Sequence, residues 1–303
     1  MSRDFFRRGF TLIELLCAMA VFALLMAIVL QVAGHATHST DRSTREMEVS
    51  QMVRQTFDNL GQDLASIVAN DGAVLVAGRS PTGWNPASVS LAFLCRARSS
   101  ESAPVAAAGI RCTAVCYGVS LFADREIGVT AASAPMVARG YGVVPWSGTY
   151  SNMPNALGSA IQAAQGASGT IIDHFDPVAE DIFRLEVVYV LSDGRITPTP
   201  PKVAGFTSTP ALSGADAIDL SKIKAIVVGV ASLDRKSRDV LFRAKGDTAL
   251  QTLAKSFAAV AQDGQTPLDV WSLSNVPADF PPAVRAGLLF HQRTFTLHTE
   301  AAL

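Results

Sequence analysis

The chain is 303 residues long, 49% apolar, with a formal net charge of −1. That length allows one sizeable core, and the near-zero charge argues against a general nucleic-acid binder. No long basic run appears, so no nucleic-acid partner is expected.

Taken in chain order, Arg3, Arg7 and Arg8 form a short basic leader, followed by Gly9-Phe10-Thr11-Leu12-Ile13-Glu14 and an apolar run to Leu30. With its flanks the run reaches the ~20 residues that cross a bilayer, so a transmembrane helix is predicted over about 10–33. Glu14 lies just inside the start of this segment. A charge there costs roughly 2.5–3.5 kcal/mol even on insertion scales, so it is read as functional and in want of a cationic partner. Arginines precede the span and no comparable cluster closely follows it. The leader is therefore placed in the cytoplasm, with everything after about Gly34 across the membrane. Two plainer readings stand beside this one: a signal anchor, or a signal peptide cut near Val32-Ala33-Gly34 or Ala36. Neither gives a reason for a carboxylate ahead of the apolar run.

The segment Gly9-Phe10-Thr11-Leu12-Ile13-Glu14 resembles the prepilin signature of type IV pilins and type II secretion pseudopilins. The resemblance implies cleavage by a prepilin peptidase between Gly9 and Phe10 and N-methylation of Phe10. It also implies single-pass storage in the bacterial inner membrane. Glu14 would then meet the new ammonium on Phe10 of a neighbouring subunit. Such a head-to-tail contact does not close on itself and generates a helical filament. The implied partners are the peptidase, other pilin or pseudopilin subunits and an inner-membrane assembly platform, with the mature protein in a periplasmic or surface filament.

Beyond the span, Gly34 to Glu48 is polar on all sides. Val49, Val53, Phe57, Leu60, Leu64 and Ile67 then recur at helical spacing, an amphipathic stripe over about 49–69. No proline interrupts, so one helix from about Thr11 to Ala69 is predicted, ~90 Å long at 1.5 Å per residue. Gly34 is its weakest point. Three parts follow: a leader (1–9), a long helix (10–69) and an extracytoplasmic head (70–303).

The head is predicted to be mostly strand. Candidates are Ala73–Ala77, then Val89–Arg96 and Ala114–Phe122 as antiparallel neighbours. Ala131 to Thr170 is read as a long loop with at most one short helix. Over Ile182 to Leu191, Phe183, Leu185, Val187, Tyr189 and Leu191 are assigned to one face, Arg184 and Glu186 to the other. Ile223 to Leu233 is a central strand, Asp247–Gln262 has helix spacing, Pro281-Pro282 open a short helix, and Leu288 to Leu297 is a last strand. The fold class is α+β: a long N-terminal helix packed on a mainly antiparallel head. The plan looks like the larger J-type minor pseudopilins. The segments Phe93–Arg98 with Ala114–Phe122, Asp181–Leu191, Ile223–Val240 and Pro281–Leu297 are also similar to prepilin-like proteins of the Verru_Chthon cassette protein C type. The length of the head favours a minor or tip subunit.

Of four cysteines, Cys17 lies in the span and is read as a small hydrophobe. Cys112 and Cys116 are ~13 Å apart at strand rise, too far to bridge each other, so a disulfide from Cys95 to Cys112 or to Cys116 is the open possibility. The Cys-x3-Cys spacing without a nearby His is poor for zinc. Asp173 and Asp176 flank His174 in an acidic stretch. Calcium there is the one metal reading, beside that of a solvated turn. No cofactor is otherwise called for. No converging acid, base and nucleophile set is visible, so the chain is not read as an enzyme. The alternative of a different class is a periplasmic binding protein or enzyme tethered by its signal anchor.

Overall fold

The computed structural model describes residues 12–67, 75–79, 88–96, 111–123, 133–145, 174–198, 222–246, 248–257 and 261–297. Its contacts divide the chain into two units, Met1–Glu48 and Val49–Leu303. The chain is α+β, an apolar N-terminal helix followed by antiparallel sheets.

The first unit holds the start of helix α1, which runs Leu12–Ala65. Leu, Ala and Met dominate this start and no proline breaks it, so helix propensity is high throughout.

The second unit holds the rest of α1 and two sheets. Five strands, β1 (Leu75–Arg79), β2 (Val89–Arg96), β3 (Arg111–Ala123), β4 (Ser133–Pro145) and β5 (His174–Glu180), lie in sequence order, each antiparallel to the next. The second sheet has the order β7-β6-β8-β9, from β6 (Ile182–Leu191), β7 (Ile196–Thr197), β8 (Ile223–Leu233) and β9 (Leu288–Thr296). Asp181 alone separates β5 from β6, so this residue carries the chain from one sheet to the other. It does so at φ 61°, a left-handed conformation that Asp tolerates better than most residues.

Both sheets share one core with the outer part of α1. Val49, Val53, Phe57, Leu60 and Leu64 of the helix are buried against Leu91 and Phe93 of β2, Tyr117 of β3, Leu185 and Tyr189 of β6, and Phe295 of β9. Each such side chain contributes roughly 1.5–3 kcal/mol of burial, far above the few tenths that separate ordinary residues in helix propensity. The stripe, and not local preference, therefore docks this half of the helix.

The connection from β8 to β9 is helical: α2 (Arg235–Lys245), α3 (Ala249–Ser256), α4 (Pro267–Val270), a 3-10 turn at Leu273–Asn275, and α5 (Pro282–Gly287). It builds a second core, in which Leu241, Leu253, Phe257, Trp271 and Val284 cover the face of the second sheet away from α1. Gly229 of β8 allows the close approach, since a Cβ there would stand 2.4 Å from Pro267 Cβ.

That second layer explains two departures from the sequence reading. All of β6 except Val190 is buried, so Arg184 and Glu186 lie inside the head, not on a solvent face. Phe183 packs in the second core while Leu185, Val187 and Tyr189 pack in the first, because a register shift at Ile182/Arg184 breaks the alternation. A third departure is β4, thirteen residues long where a loop was expected. Its Gly140 and Gly142 dilute the strand signal, yet both lie in its pairing register with β3. The strands β2, β8 and β9, the β2–β3 pairing and the helix opened by Pro282 stand close to where they were predicted.

Candidate functional site: the apolar N-terminal helix

In residues Leu12–Gly34 every side chain is exposed, the large apolar ones from 48% (Met26) to 79% (Leu12). The band is apolar on all sides and long enough to cross a membrane. A hydrophobic surface of this extent exceeds the few hundred Å² that soluble monomers leave bare, so it is a surface to be covered by lipid or protein.

Glu14 lies in the first turn of α1, and its side chain is exposed. A carboxylate there is favoured by the helix dipole, by about 0.3–1 kcal/mol. A charge at the middle of a membrane span would cost roughly 2.5–3.5 kcal/mol, several-fold more than the dipole contributes. Gly9 and Phe10 lie outside the described residues. Cys17 is a free, exposed thiol on the same helix.

The other predicted site residues are dispersed. Cys95 and Cys116 are both buried and the Cys116 thiol is free, so the Cys95–Cys116 bridge is not made. The register gives the reason: Cys95 is opposite Thr113 and Cys116 is opposite Ala92, which assigns the two thiols to opposite faces of the sheet. Cys95 Sγ instead donates to the Thr113 carbonyl at 3.5 Å. Cys112 pairs through its backbone with Arg96, one position along from the Cys95–Thr113 pair, and its thiol lies outside the described side chains. Burial pushes the Cys116 thiol up to about 12, which keeps it unreactive. Asp176 is exposed at the edge strand β5, while Asp173 lies outside the described residues. Among the described residues no three His, Cys, Asp or Glu side chains form a group able to hold a metal.

Among the described residues, three buried ion pairs escaped the sequence reading. Arg139 of β4 donates from Nε to Asp63 Oδ2 of α1 at 2.6 Å and from Nη2 to Oδ1 at 3.2 Å. The Tyr117 hydroxyl donates to the same Oδ2 at 2.6 Å, and all three side chains are buried. Asp63 falls three residues after Leu60 and four before Ile67. A carboxylate on that apolar face was the available signal. Arg184 pairs with Glu186 along β6 at 2.7 Å beneath Trp271. Arg238 of α2 pairs with Asp181 at the corner between the sheets.

Burial pushes the Asp181 carboxyl up to about 7, with Arg238 pulling the other way. A carboxyl raised in the fold contributes stability that is fully present below its ordinary value of 3.8 and is lost as pH rises through about 7. Wild-type stability is therefore expected to fall between about pH 4 and pH 7 relative to Asp181→Asn, by on the order of 1–3 kcal/mol over that window. Thermal melts of both proteins across the range would show parallel profiles if the carboxyl titrated normally.

Against known families, residues 5–30 match the model described as the prokaryotic N-terminal methylation motif. No curated protein matches the chain. Among solved structures the chain is similar to a type IV-like pilin from Thermus thermophilus, at 11% identity and a TM-score of 0.36, covering 84% of this chain and 97% of that one. The matched stretch takes in Gly9, Phe10 and Glu14 and the apolar run to Leu30.

Proposed function

We propose that this protein is a pilin-like structural subunit, cut by a prepilin peptidase between Gly9 and Phe10, methylated on Phe10, and assembled through α1 into a pilus or pseudopilus. The observation that supports this most is the wholly exposed apolar start of α1, Leu12–Gly34, with an acid in its first turn that falls within a methylation motif. In the membrane the helix is covered by lipid. In an assembly it is covered by the helices of neighbours, and the Phe10 ammonium of one subunit neutralises Glu14 of the next.

The size of the head favours a minor or tip subunit. The protein acts by assembly and not by catalysis, with other pilin-like subunits and an inner-membrane platform as partners. Its leader is cytoplasmic and its head lies on the far side of the inner membrane until assembly.

The test is a Gly9→Val variant. Gly9 presents no side chain to a protease cleft, and a branched residue there obstructs it. The variant is expected to keep its leader completely, running as one unshifted band where the wild type is processed. Equal processing of both would contradict the cleavage assignment.

A further inference from the structure

Among the described strands the two sheets have four edges, β1, β5, β7 and β9, and three of them discourage a further strand. β1 is five residues long with Gly78 inside it. β5 carries Pro177, a bulge against β4 and the exposed acids Asp176 and Glu180. β7 has two residues. Beyond it the open side of β6 is filled by Ser88, whose Oγ accepts from Leu185 N at 3.0 Å and donates to Leu185 O at 3.3 Å.

The fourth edge has no such device. β9 runs nine residues without proline and pairs with β8 without a register shift. Its hydrogen-bond phase is fixed at both ends, by Leu297 N to Lys224 O at 2.9 Å and by Asp234 N to Gly287 O at 3.0 Å. In an antiparallel ladder, alternate residues turn both backbone groups to the same neighbour. The odd-numbered residues of β9 therefore bond to β8, and Phe290, Gln292, Thr294 and Thr296 turn their N–H and C=O groups outward. Among the described residues nothing bonds to these outward groups, and the last three residues are exposed. Charge narrows what fits there. From Lys222 to Leu233 and from Leu288 to Leu297 no acid occurs, while Lys222, Lys224 and Arg293 are exposed cations. Asp58 of α1 meets Arg293, which leaves the two lysines in excess.

The geometry points to β9 as a strand-addition site: an extended, carboxylate-bearing segment of another polypeptide lies along Phe290–Thr296 and lengthens the second sheet by one strand. Main-chain bonds hold the segment, and its acids select it. A second copy fits less well, because its own β9 brings the same cations to the seam and no acid. The site stands whether or not the chain assembles through α1.

The probe is a short synthetic peptide of alternating threonine and glutamate, dye-labelled and added to the full-length protein in uncharged detergent. Anisotropy is expected to show saturable binding. The same peptide with lysine for glutamate is expected to bind about tenfold weaker or worse. Thr294→Pro removes an outward N–H and leaves the β8–β9 ladder whole, so it is expected to melt cooperatively and to weaken binding by about tenfold. Methylating alternate backbone nitrogens of the peptide is expected to weaken it alike, with the protein unchanged. Absent saturable binding, equal binding of the lysine peptide, or indifference to both the proline and the methyl groups overturns the site. Loss of the cooperative melt in Thr294→Pro overturns the outward phase on which it rests. Dimerisation of the wild type that Thr294→Pro abolishes would give the edge to a second copy instead.

Discussion

Arg139→Met is expected to destabilise the head by about 3–5 kcal/mol, measured by denaturant unfolding of the full chain in detergent. The substitution removes the two hydrogen bonds that Arg139 makes to the buried Asp63 carboxylate, beside the one from the Tyr117 hydroxyl. Breaking one side of a buried pair costs far more than the pair contributes, because the remaining charge has lost its counter-ion away from water. Many domains have only 5–15 kcal/mol in total, so the variant head is expected to lie close to unfolding. Adding Asp63→Leu is expected to recover most of the loss, since the charge is then gone with its partner. An Arg139→Met change within 0.5 kcal/mol of wild type would show that Asp63 finds water or another cation instead.

Glu14→Leu is expected to abolish incorporation into an assembly while leaving processing at Gly9 intact. The exchange removes a membrane-insertion cost of at most roughly 2.5–3.5 kcal/mol, the figure for a charge at mid-span, so the single subunit should be held in the membrane at least as well. On the proposed pairing it would lose the partner for the Phe10 ammonium of the next subunit, which in lipid has no water to solvate it. The measurement is copurification with neighbouring pilin-like subunits beside the mass of the mature terminus. A normal mass with copurification reduced by at least an order of magnitude supports the pairing, whereas undiminished copurification removes it. Glu14→Asp is the informative companion, because it keeps the charge and shortens its reach by one carbon.

Much of the architecture was readable because periodicity and burial agree where one face is apolar and the other wet. The stripe Val49, Val53, Phe57, Leu60 and Leu64 predicted the buried face of α1, and the run from Ile223 predicted an interior strand. What failed to read has a common cause: layers supplied by distant sequence. Arg184 and Glu186 look like the wet side of β6 until the helices between β8 and β9 fold over them. The α2 helix itself, Arg235–Lys245, is too polar for its apolar positions to stand out. Its start is fixed instead by Asp234, whose carboxylate accepts from Ser237 N at 3.1 Å and Ser237 Oγ at 2.6 Å. Asp63 was hidden for another reason, since a carboxylate on an apolar face announces a partner without naming it. Arg139 and Tyr117 lie 76 and 54 residues away along the chain.

The N-terminal motif was legible for the opposite reason. It is matched as a linear segment, so order along the chain carries the whole signal. Under the proposed function, Gly9, Phe10 and Glu14 would need no distant element to be recognised by a peptidase or to meet the next helix.

The most direct test is the mass of the N-terminal peptide of the natural protein, isolated from membranes. The account predicts a peptide that begins at Phe10 and carries one methyl group on its α-amine. A peptide retaining the leader from Met1, or one beginning near His35 beyond the apolar segment, would contradict it.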